Sequence, residues 1–466
     1  MPSPSASLVE LLSQHQQSHL LQFLPELNVD QQTDLIAELE SIDWAQLTKL
    51  TSSQDKSVDW HEMARRAEPP PAFSLRDSKP TISKQQATMV GEEALRAGKV
   101  GFILVAGGQG TRLGFDLPKG LYPIGPLSSR TLFQMHCDRV LGMSRKYGVT
   151  IPVYVMTSPA TDADTREYFE KHQNCGLSDD QLQIFCQGMM PAVDAATGKV
   201  LLASKSSIAL SPDGHGGLVA ALQKSGILQK AQQQGIDYFY YAQIDNPLAK
   251  VCQPDLIGYH RLAGSQMTTQ VVQKRFAEEK VGNVVSIDGR VQIIEYSDLP
   301  ANVAQLKNSD GSLKLWAGNI AIHVFDRSFL TSVVESADGL PFHRAHKKVS
   351  YVDSSGQLVE PSQPNATKFE RFVFDLLPMA ERAIVVEDAA EEVFAPVKNA
   401  NGAAVDTPAH SIQAILSQHR RWILGSGSTI ADGVSVEINS RWAVDEQEVA
   451  QKLNKPIHFT ADTYLC

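Results

Sequence analysis

Cysteine and long apolar runs are both scarce in this sequence. The 466 residues include five scattered cysteines and no CxxC pair: Cys137, Cys175, Cys186, Cys252 and Cys466. This odd number disfavours a disulfide scaffold or a thiolate zinc site and is typical of a reducing compartment. No stretch approaches the ~18 apolar residues of a membrane span. Since no basic residues precede an apolar run near the start, we expect no signal peptide and a cytoplasmic protein.

Positive charge is also in deficit. Lys and Arg total 42 against 52 Asp and Glu, giving a formal net charge of −10 at pH 7. A chain with this balance has no general affinity for nucleic acid or for an anionic membrane. An anionic substrate must therefore be bound by cations placed locally. The length exceeds the ~250 to 300 residues at which a single core stops growing, so two or three domains are expected.

The first 95 residues are predicted to form a helical region that ends in a linker. Leu35, Ile36, Leu39 and Ile42 recur on one helical face after Asp30, which is a candidate N-cap. The Pro-rich stretch EPPPAFSLRDSKP, residues 68–80, cannot continue a helix and predicts an extended linker.

Apolar runs and helical stretches alternate over residues 96–405. The runs include VGFILVA (100–106), IPVYVMT (151–157) and DYFYYAQID (237–245). This alternation predicts an α/β domain with a central, mostly parallel or mixed sheet. After residue 405, the helical stretch HSIQAILSQHRRWIL and a Gly- and Ser-broken tail predict a small C-terminal domain over 406–466.

A glycine-rich stretch, GGQGTRLG, directly follows the first of these strands. Ligands of open α/β sheets bind beyond the carboxyl ends of the strands. Gly107, Gly108 and Gly110 carry no Cβ, so backbone N–H groups can approach phosphate oxygens closely. Arg112 and Lys119, the latter preceded by a proline, add two positive charges. The stretch predicts a phosphate-binding loop, and a tight turn with a solvated arginine is the structural alternative.

Two common nucleotide motifs do not fit these glycines. A P-loop needs GxxxxGK[ST], and no Lys-Ser or Lys-Thr follows. A dinucleotide-binding turn needs GxGxxG, whereas Gly108, Gly110 and Gly114 are spaced GxGxxxG, and the next strand ends without an acidic residue. Both alternatives, including an NAD-dependent dehydrogenase, are therefore weakened.

The stretch GGQGTRLG, together with PKGLYPIG, closely resembles the uridylyltransferase signature of the UDP-N-acetylhexosamine pyrophosphorylases. That family makes UDP-N-acetylglucosamine from UTP and the sugar 1-phosphate. Further matching stretches follow in order: QGMMPAVD, SPDGHGGL, QIDNPLAKV, VGNVV, IIEYSDL, WAGNIAIHVF, FERFVFD and FAPVKNA. The resemblance covers roughly residues 95–400 and implies a nucleotidyltransferase core that is Rossmann-like and GT-A-like.

The resemblance also implies a metal site. Asp245 ends an apolar strand, where a hard carboxylate oxygen suits Mg²⁺. From the residues alone, a turn or helix-capping aspartate is the alternative. The family holds its metal with the matching aspartate, so the cofactor implied is Mg²⁺, with Mn²⁺ as a substitute.

Three residues are implied in nucleotide binding beyond the first loop. Gln187 offers the amide donor and acceptor that the uracil edge requires. Gly214 and His215 belong to the loop SPDGHGGL, in which the family usually has asparagine where this chain has His215. Related UDP-glucose pyrophosphorylases commonly carry histidine in this loop, so the choice of sugar stays open.

The remaining implied residues would bind sugar and phosphate. Gly282, Glu295 and Asn319 match sugar-binding positions, and Lys398 matches a phosphate-binding lysine. Each alone could be ordinary loop chemistry, and their order along the chain gives them weight. The stretch HRAHKK, residues 343–348, lacks the glutamate of an HExxH zinc motif and predicts a basic loop near the substrate.

The reaction implied is in-line attack of the sugar phosphate on the α-phosphorus of UTP, with Arg112 and Lys119 as catalytic residues. Such a transfer needs positioning and charge neutralisation more than a protein nucleophile. The partners expected are UTP and a sugar 1-phosphate, in a monomer or weak homo-oligomer. The alternatives are a UTP–glucose-1-phosphate uridylyltransferase, a broader UDP-sugar pyrophosphorylase, or a non-catalytic nucleotide-sugar sensor.

Overall fold

The structure is a computed structural model that describes residues 4–52, 60–77, 80–336 and 339–466. Its helices are α1 (Ala6–Gln14), α2 (Val29–Glu40), α3 (Trp44–Ser52), α4 (Trp60–Arg66), α5 (Lys84–Arg96), α6 (Leu132–Tyr147), α7 (Pro159–Lys171), α8 (Leu218–Lys224), α9 (Ile227–Gln233), α10 (Pro254–Leu262), α11 (Ala301–Ala304), α12 (Arg327–Glu335), α13 (Leu376–Met379), α14 (Ala390–Val393), α15 (Pro408–Gly425) and α16 (Glu446–Lys452).

The strands are short at the periphery and longer at the centre. They are β1 (Ala72–Phe73), β2 (Val100–Val105), β3 (Val153–Thr157), β4 (Leu182–Cys186), β5 (Met189–Pro191), β6 (Val193–Asp194), β7 (Leu202–Ser204), β8 (Ser207–Ile208), β9 (Leu210–Pro212), β10 (Tyr238–Gln243), β11 (Met267–Gln273), β12 (Asn283–Ile287), β13 (Arg290–Ile294), β14 (Ala317–Asp326), β15 (His343–Lys347), β16 (Tyr351–Val352), β17 (Leu358–Val359), β18 (Ala366–Glu370), β19 (Ala383–Glu387), β20 (Thr429–Ile430), β21 (Val436–Ile438), β22 (His458–Phe459) and β23 (Thr463–Leu465).

The chain divides into two compact units, each built from three separate segments. Unit 1 comprises Met1–Val58, Gln187–Ala220 and Asp338–Val373. Unit 2 comprises Asp59–Cys186, Ala221–Ala337 and Phe374–Cys466. The three domains expected over 1–95, 96–405 and 406–466 stay predictions.

Unit 2 is built on one large mixed sheet. Its strands follow the order β1-β19-β11-β14-β10-β2-β3-β4, and the hairpin β12-β13 joins through β14. Only β14 among the strands of that main order runs antiparallel to its neighbours. Every residue of β2 is buried, as expected of a strand covered on both faces. The predicted fold class, α/β with a mostly parallel or mixed sheet, is confirmed.

Local sequence explains how helices connect these strands. The helix α6 begins at a capping box formed by Thr131 and Gln134. It ends at Gly148, which is left-handed with φ 68°. The chain then enters β3, which lies beside β2 in parallel. The Pro-rich linker contains β1, which pairs with β19, so Ala72 and Phe73 are extended as predicted, whereas Leu75 and Arg76 form a turn.

Residues 4–52 of unit 1 are largely helical, and two details within this unit differ from the sequence predictions. Asn28, not Asp30, caps α2 through a capping box with Gln31, because Asp30 already lies in the first helical turn. The stretch HRAHKK is not a loop, since it forms the strand β15 paired antiparallel with β18. Leu35 and Leu39 are fully buried in a core shared with the short strands of this unit.

The C-terminal residues of unit 2 begin with α15, as the sequence predicted. Parallel strand pairs β20-β22 and β21-β23 follow, with an apolar core that includes Ile423 and Val449. Within the described ranges, no helix is both long enough and apolar enough to cross a bilayer.

Candidate active site

The glycine-rich loop turns back on itself immediately after β2. The Gly110 N–H donates to Leu117 O at 2.9 Å, and the Lys119 N–H donates to Gly108 O at 3.0 Å. The hydroxyl of Ser158 donates to Gly107 O at 2.8 Å from the end of β3. These bonds fix the path of the loop and bring the backbone of Lys119 beside Gly108.

Two of the predicted glycines leave their backbone open. Gly108 is exposed, and a Cβ placed on it would meet no atom within 4 Å. Among the described residues, neither the Gly107 nor the Gly108 N–H donates a hydrogen bond. Arg112 is exposed and makes no ion pair with any residue that the structure describes. The loop therefore presents backbone donors and a mobile cation that an anion can use.

Lys119 and Asp245 meet at the carboxyl edge of the sheet. The distance from Lys119 Nζ to Asp245 Oδ2 is 3.8 Å, and each side chain is 16% exposed. The two residues are far apart in sequence, but their strands β2 and β10 are parallel neighbours with Val105 opposite Gln243. Parallel pairing brings the segments after both strands to one edge, which explains the meeting.

The segment that carries Lys398 reaches the same edge. The Val397 N–H donates to Asp245 O at 2.8 Å, and the Lys398 N–H donates to Asp406 O at 2.8 Å. The Lys398 ammonium lies 5.7 Å from the centre of the Phe394 ring. Burial raises the pKa of the Asp406 carboxyl, while the charge of Lys398 lowers it. The sequence did not single out Asp406, because its hydrogen bond with the Lys398 N–H depends on how the loop between them folds, and no sequence motif predicts that fold.

The donors at this edge fit Mg²⁺ better than a metal held by protein ligands alone. No cluster of three or more His, Cys, Asp or Glu side chains that could hold a metal occurs in the part of the chain that the structure describes. Asp245 offers one hard carboxylate beside the glycine-rich loop. Mg²⁺ is commonly bound by one or two carboxylates together with substrate phosphates, so the residues present fit that ion.

The three predicted sugar-binding residues lie together in unit 2. The Asn319 N–H donates to Gly282 O at 2.8 Å. A Cβ on Gly282 would lie 3.1 Å from Glu295 Oε1 and 3.7 Å from the Asn319 Cβ. The carboxylate and the amide therefore flank a position where the backbone is bare. Such a pair can bind sugar hydroxyls and an amide substituent.

A bulge in β14 places Asn319. Val271 of β11 faces Asn319, whereas the preceding Gln270 faces Ile322, so two extra residues interrupt the β14 register. Ala321 adopts a left-handed φ of 55° within the bulge. The Asn319 Oδ1 accepts a hydrogen bond from the Ala321 N–H at 3.0 Å. Bulges of this kind re-aim a side chain next to a functional site.

Unit 1 holds Gln187 and the loop that contains Gly214 and His215. Gln187 is buried and follows β4. Next to it in the chain, Gly188 accepts a hydrogen bond from the Asp213 N–H at 3.1 Å. The Gly214 backbone has φ 82° and lies against Arg371, whose carbonyl would be 2.4 Å from a Cβ on this glycine.

Asp213 is a residue of this loop that sequence reasoning missed as a candidate. Its side chain is 6% exposed, and its Oδ1 has no hydrogen-bond partner. A Cβ on Gly217 would lie 2.1 Å from that oxygen, so the carboxylate fits only because residue 217 is glycine. Burial raises the pKa of Asp213 to about 6, against the opposing charge of Arg371. The only sequence signal was an aspartate between a proline and three glycines.

His215 is held in one orientation and one protonation state. Its Nδ1 accepts a hydrogen bond from the Val373 N–H at 3.0 Å, so the neutral ring carries its proton on Nε2. The ring stacks on Phe372 with 5.4 Å between centres. Burial, and then the charge of His343, lower the pKa of His215 to about 4. His215 is therefore a neutral Nε2–H donor at pH 7.

An open glycine-rich loop, two cations and a carboxylate at the carboxyl edge of a mostly parallel sheet define an α/β protein of nucleotidyltransferase type. Residues 43–439 match the UTP–glucose-1-phosphate uridylyltransferase family. Since this match covers most of the sequence, the chain belongs to that family, and the resemblance inferred from its motifs is confirmed.

Individual relatives show which members of the family this chain is similar to. The chain is 38% identical over 435 residues to the human UDP-N-acetylhexosamine pyrophosphorylase-like protein 1, covering 89% of this chain and 85% of the human protein. It is 36% identical over 370 residues to the UDP-N-acetylglucosamine pyrophosphorylase of Saccharomyces cerevisiae, covering 78% and 77%. It also superimposes on the crystal structure of the Trypanosoma brucei UDP-N-acetylglucosamine pyrophosphorylase with a TM-score of 0.80, at 26% identity and 98% coverage of both chains.

Proposed function

We propose that this chain is a uridylyltransferase that forms UDP-N-acetylglucosamine and pyrophosphate from UTP and N-acetylglucosamine 1-phosphate. The observation that carries the proposal is the meeting of Lys119 and Asp245, 3.8 Å apart, beside the open backbone of Gly108. Family membership supports the uridylyl transfer. The names of the human and yeast relatives support the N-acetylated sugar.

The reaction exchanges one phosphorus–oxygen bond for another. A phosphate oxygen of the sugar 1-phosphate forms a bond to the α-phosphorus of UTP. The bond from that phosphorus to the oxygen bridging the β-phosphate breaks, and pyrophosphate leaves with the electron pair. Because the attacking oxygen is already anionic, the protein must chiefly align two polyanions and neutralise their charge.

Lys119 and Arg112 provide this neutralisation. Lys119 is half-enclosed and fixed by Pro118, so its ammonium is a positioned charge, whereas Arg112 is exposed and can move onto the phosphates. The free N–H groups of Gly107 and Gly108 add donors that point at the same anion. Gly110 keeps the loop in this conformation through its bond to Leu117, and Lys398 adds a further cation from the segment beside Asp245.

Asp245 would hold Mg²⁺, with Mn²⁺ as a substitute. When bound there, the ion supplies positive charge that shields the UTP phosphates and favours departure of pyrophosphate. Asp245 itself keeps a hard oxygen ligand at the loop, and its negative charge attracts the Lys119 ammonium to the same edge.

Substrate recognition is assigned to the other predicted residues. Gln187 would pair with the uracil edge, and Gly214 and His215 would contact the nucleotide, His215 through its Nε2–H. Gly282, Glu295 and Asn319 would bind the sugar, for which a bare backbone flanked by a carboxylate and an amide is suited. We assign the protein to the cytoplasm as a monomer or weak homo-oligomer, supported by five free cysteines.

The second candidate is a UTP–glucose-1-phosphate uridylyltransferase. His215 favours it, because this histidine stands where the N-acetylhexosamine enzymes resembled by the motifs usually have asparagine. The names of the human and yeast relatives favour the N-acetylated sugar instead.

A substrate panel tests the proposal. The purified protein is assayed for pyrophosphate release with UTP, Mg²⁺ and each of N-acetylglucosamine, N-acetylgalactosamine and glucose 1-phosphates. We expect the highest kcat/KM with N-acetylglucosamine 1-phosphate. A preference for glucose 1-phosphate would establish the second candidate. Binding of UDP-sugars without turnover of any substrate would identify a sensor, and binding of NADH without UTP would contradict the whole assignment.

A further inference from the structure

Unit 2 contains a second cavity that includes none of the predicted substrate-binding residues. Its volume is about 580 Å³, within the range of small-molecule sites. Its walls come from α5, α6 and α15, from the chain between β10 and α10, and from the segment after β19. It lies where the C-terminal residues pack against the central sheet domain of the same unit.

Arg139 is the unusual residue of this cavity. Its Nη1 is buried and has no hydrogen-bond partner. Within the described chain, no carboxylate lies within ion-pairing distance of its guanidinium, since the neighbouring Asp138 pairs with Arg130 instead. Burial lowers the pKa of Arg139 to about 10, so it is still cationic at pH 7. The Arg139 side chain as a whole is half-buried, but its buried Nη1 has no partner, which is costly unless an anion accepts its hydrogen bond.

Five of the six carboxylates that line the cavity are paired with a basic side chain, and three of those partners line the same cavity. Their partners are Lys84 for Asp255, Lys250 for Asp388, Lys146 for Asp445, Arg96 for Glu92 and Arg421 for Glu392. A sixth, Glu446, is exposed and lies against Gly425 at the end of α15. Five of the six carboxylates are therefore offset by a paired cation, whereas Glu446 and Arg139 form no ion pair within the part of the chain that the structure describes.

His419 adds a neutral ring to the same wall. Its Nδ1 accepts a hydrogen bond from the Ile438 N–H at 3.1 Å, so the proton lies on Nε2. Burial, and then the charge of Arg139, lower the pKa of His419 to about 3. His419 therefore lies close enough to Arg139 for the two side chains to share one wall of the cavity.

The rest of the wall contains apolar surface. Met143 and Tyr147 follow Arg139 on one face of α6, and Leu248, Val251 and Trp422 contribute from other elements. The Trp422 ring is half-buried and lies 5.7 Å from the His419 ring. A ligand of this cavity would thus meet Arg139, which has no carboxylate partner, three lysines that are paired with carboxylates, and several apolar side chains.

We propose that this cavity binds a small organic anion, whose carboxylate or phosphate pairs with Arg139 and whose apolar body packs against Met143 and Trp422. The planar guanidinium matches either oxyanion in a two-point hydrogen bond. The cavity volume accommodates a ring in addition to the anionic group. This inference is independent of the uridylyltransferase proposal and holds whether or not that reaction is confirmed.

Fluorescence titration of the full chain tests the site. The probes are benzoate, phenyl phosphate and inorganic phosphate, with Trp422 as the reporter at the cavity wall. We expect a saturable change with benzoate or phenyl phosphate, and at least about tenfold weaker binding of inorganic phosphate, which lacks the apolar body. The substitution Trp422→Phe should remove the signal, and Arg139→Met should weaken binding at least about tenfold.

The variant Lys119→Met is the control for phosphate binding at the glycine-rich loop. Its titration should match that of the unmodified protein, and loss of the signal in this variant would place the bound probe at the loop and overturn the proposal. Saturation of neither aromatic probe, or equal binding to Arg139→Met, would also overturn it.

Thermal unfolding of Arg139→Met gives an independent test. Because the substitution removes a guanidinium whose buried Nη1 has no partner, the variant alone should unfold at the same or a higher temperature than the original protein. It should also lose the stabilisation by phenyl phosphate that the original protein shows. Arg139→Lys serves if the methionine variant does not fold, since it keeps the charge but loses the two-point geometry. A lower Tm together with unchanged probe stabilisation would assign Arg139 a purely structural role.

Discussion

Lys119 is the residue on which the proposed chemistry most depends. Its ammonium faces one carboxylate at 3.8 Å, which lies too far for a tight hydrogen bond and leaves the charge available to phosphates. We expect Lys119→Met to lower kcat by about 10² to 10³, the usual cost of removing one positioned group that stabilises transition-state charge. Pyrophosphate release and far-UV circular dichroism measure activity and fold.

The matched control is Lys99→Met, at the opposite end of β2. Lys99 is exposed and pairs with Asp237 at 3.2 Å, so its loss should change both activity and stability little. Turnover of the Lys119 variant within a few-fold of the original would show that another group neutralises the phosphates.

His215 predicts a pH dependence of stability. Its pKa of about 4 in the folded protein lies below the ordinary 6.5. Between these two pH values His215 is protonated in the unfolded chain but neutral in the folded chain. The free energy of unfolding therefore falls as pH decreases from about 6.5 to 4. The contribution has its full value above pH 6.5 and amounts to at most about 3 kcal/mol.

Urea unfolding at pH 7.5 and pH 5 checks this prediction in the original protein and in His215→Asn. The free energy of unfolding should differ less between the two pH values in the variant than in the original protein, because asparagine does not titrate. Other buried histidines contribute to both proteins, so the difference between the two isolates His215. An unchanged difference would mean that His215 titrates normally when folded.

At the scale of elements, the bulge in β14 separates two functions of Asn319. Its Oδ1 supports the bulge through Ala321, whereas its amide N–H₂ is available to a sugar. Asn319→Asp keeps the acceptor and loses the donor, so we expect a higher KM for the sugar 1-phosphate with stability almost unchanged. Asn319→Ala should show the same KM effect and also lose about 1 kcal/mol of stability.

Initial rates at varied sugar phosphate and fixed UTP, with urea unfolding of each variant, distinguish these effects. The KM for UTP serves as the internal control and should change less than the KM for the sugar phosphate. Unaltered sugar kinetics in both variants would remove Asn319 from the proposed sugar-binding residues while leaving its role in the bulge.

The elements also show what the sequence could predict. The strands β2, β3 and β10 and the helix α15 form where the sequence predicts apolar strands and a helical stretch, because local pattern and tertiary burial agree there. The meeting of Lys119 with Asp245 was implied by two strands ending in polar motifs. The bulge at Asn319 was not predictable, since it arises from the pairing of β14 with β11 and no local residue signals it.

Asp213 and Asp406 were missed for a related reason. Each is an ordinary aspartate among turn residues, and its significance depends on what folds over it. Asp213 fits against Gly217, and Asp406 accepts hydrogen bonds from the segment of Lys398. Such contacts join chain segments that are distant in sequence, so they cannot be predicted from the local sequence around each aspartate.

At the scale of the whole molecule, each unit is assembled from three separate segments. A net charge of −10 gives the surface no general attraction for polyanions, so recognition of phosphate depends on the few local cations identified above. A chain built in this way need not unfold in a single two-state step.

Glu437 links the C-terminal residues of unit 2 to the segment that follows the glycine-rich loop. Its side chain is 3% exposed and accepts hydrogen bonds from the Leu127 N–H, the Ser128 N–H and the Ser128 hydroxyl, each at 2.7 Å. Leu127 and Ser128 are separated from Glu437 by 310 and 309 positions in the sequence. Glu437→Gln places an amide against donors and removes the charge that strengthens the bonds.

We expect this substitution to cost about 1 to 3 kcal/mol of stability, and to slow turnover less than Lys119→Met does, because the segment it fixes precedes α6 rather than carrying a catalytic group. Urea unfolding and pyrophosphate release measure the two effects. Asp432→Asn is the matched control, since Asp432 is exposed in the same C-terminal segment and its change should stay within about 0.5 kcal/mol. Equal stability of the two variants would show that residues 408–466 do not depend on Glu437 for their attachment to the loop.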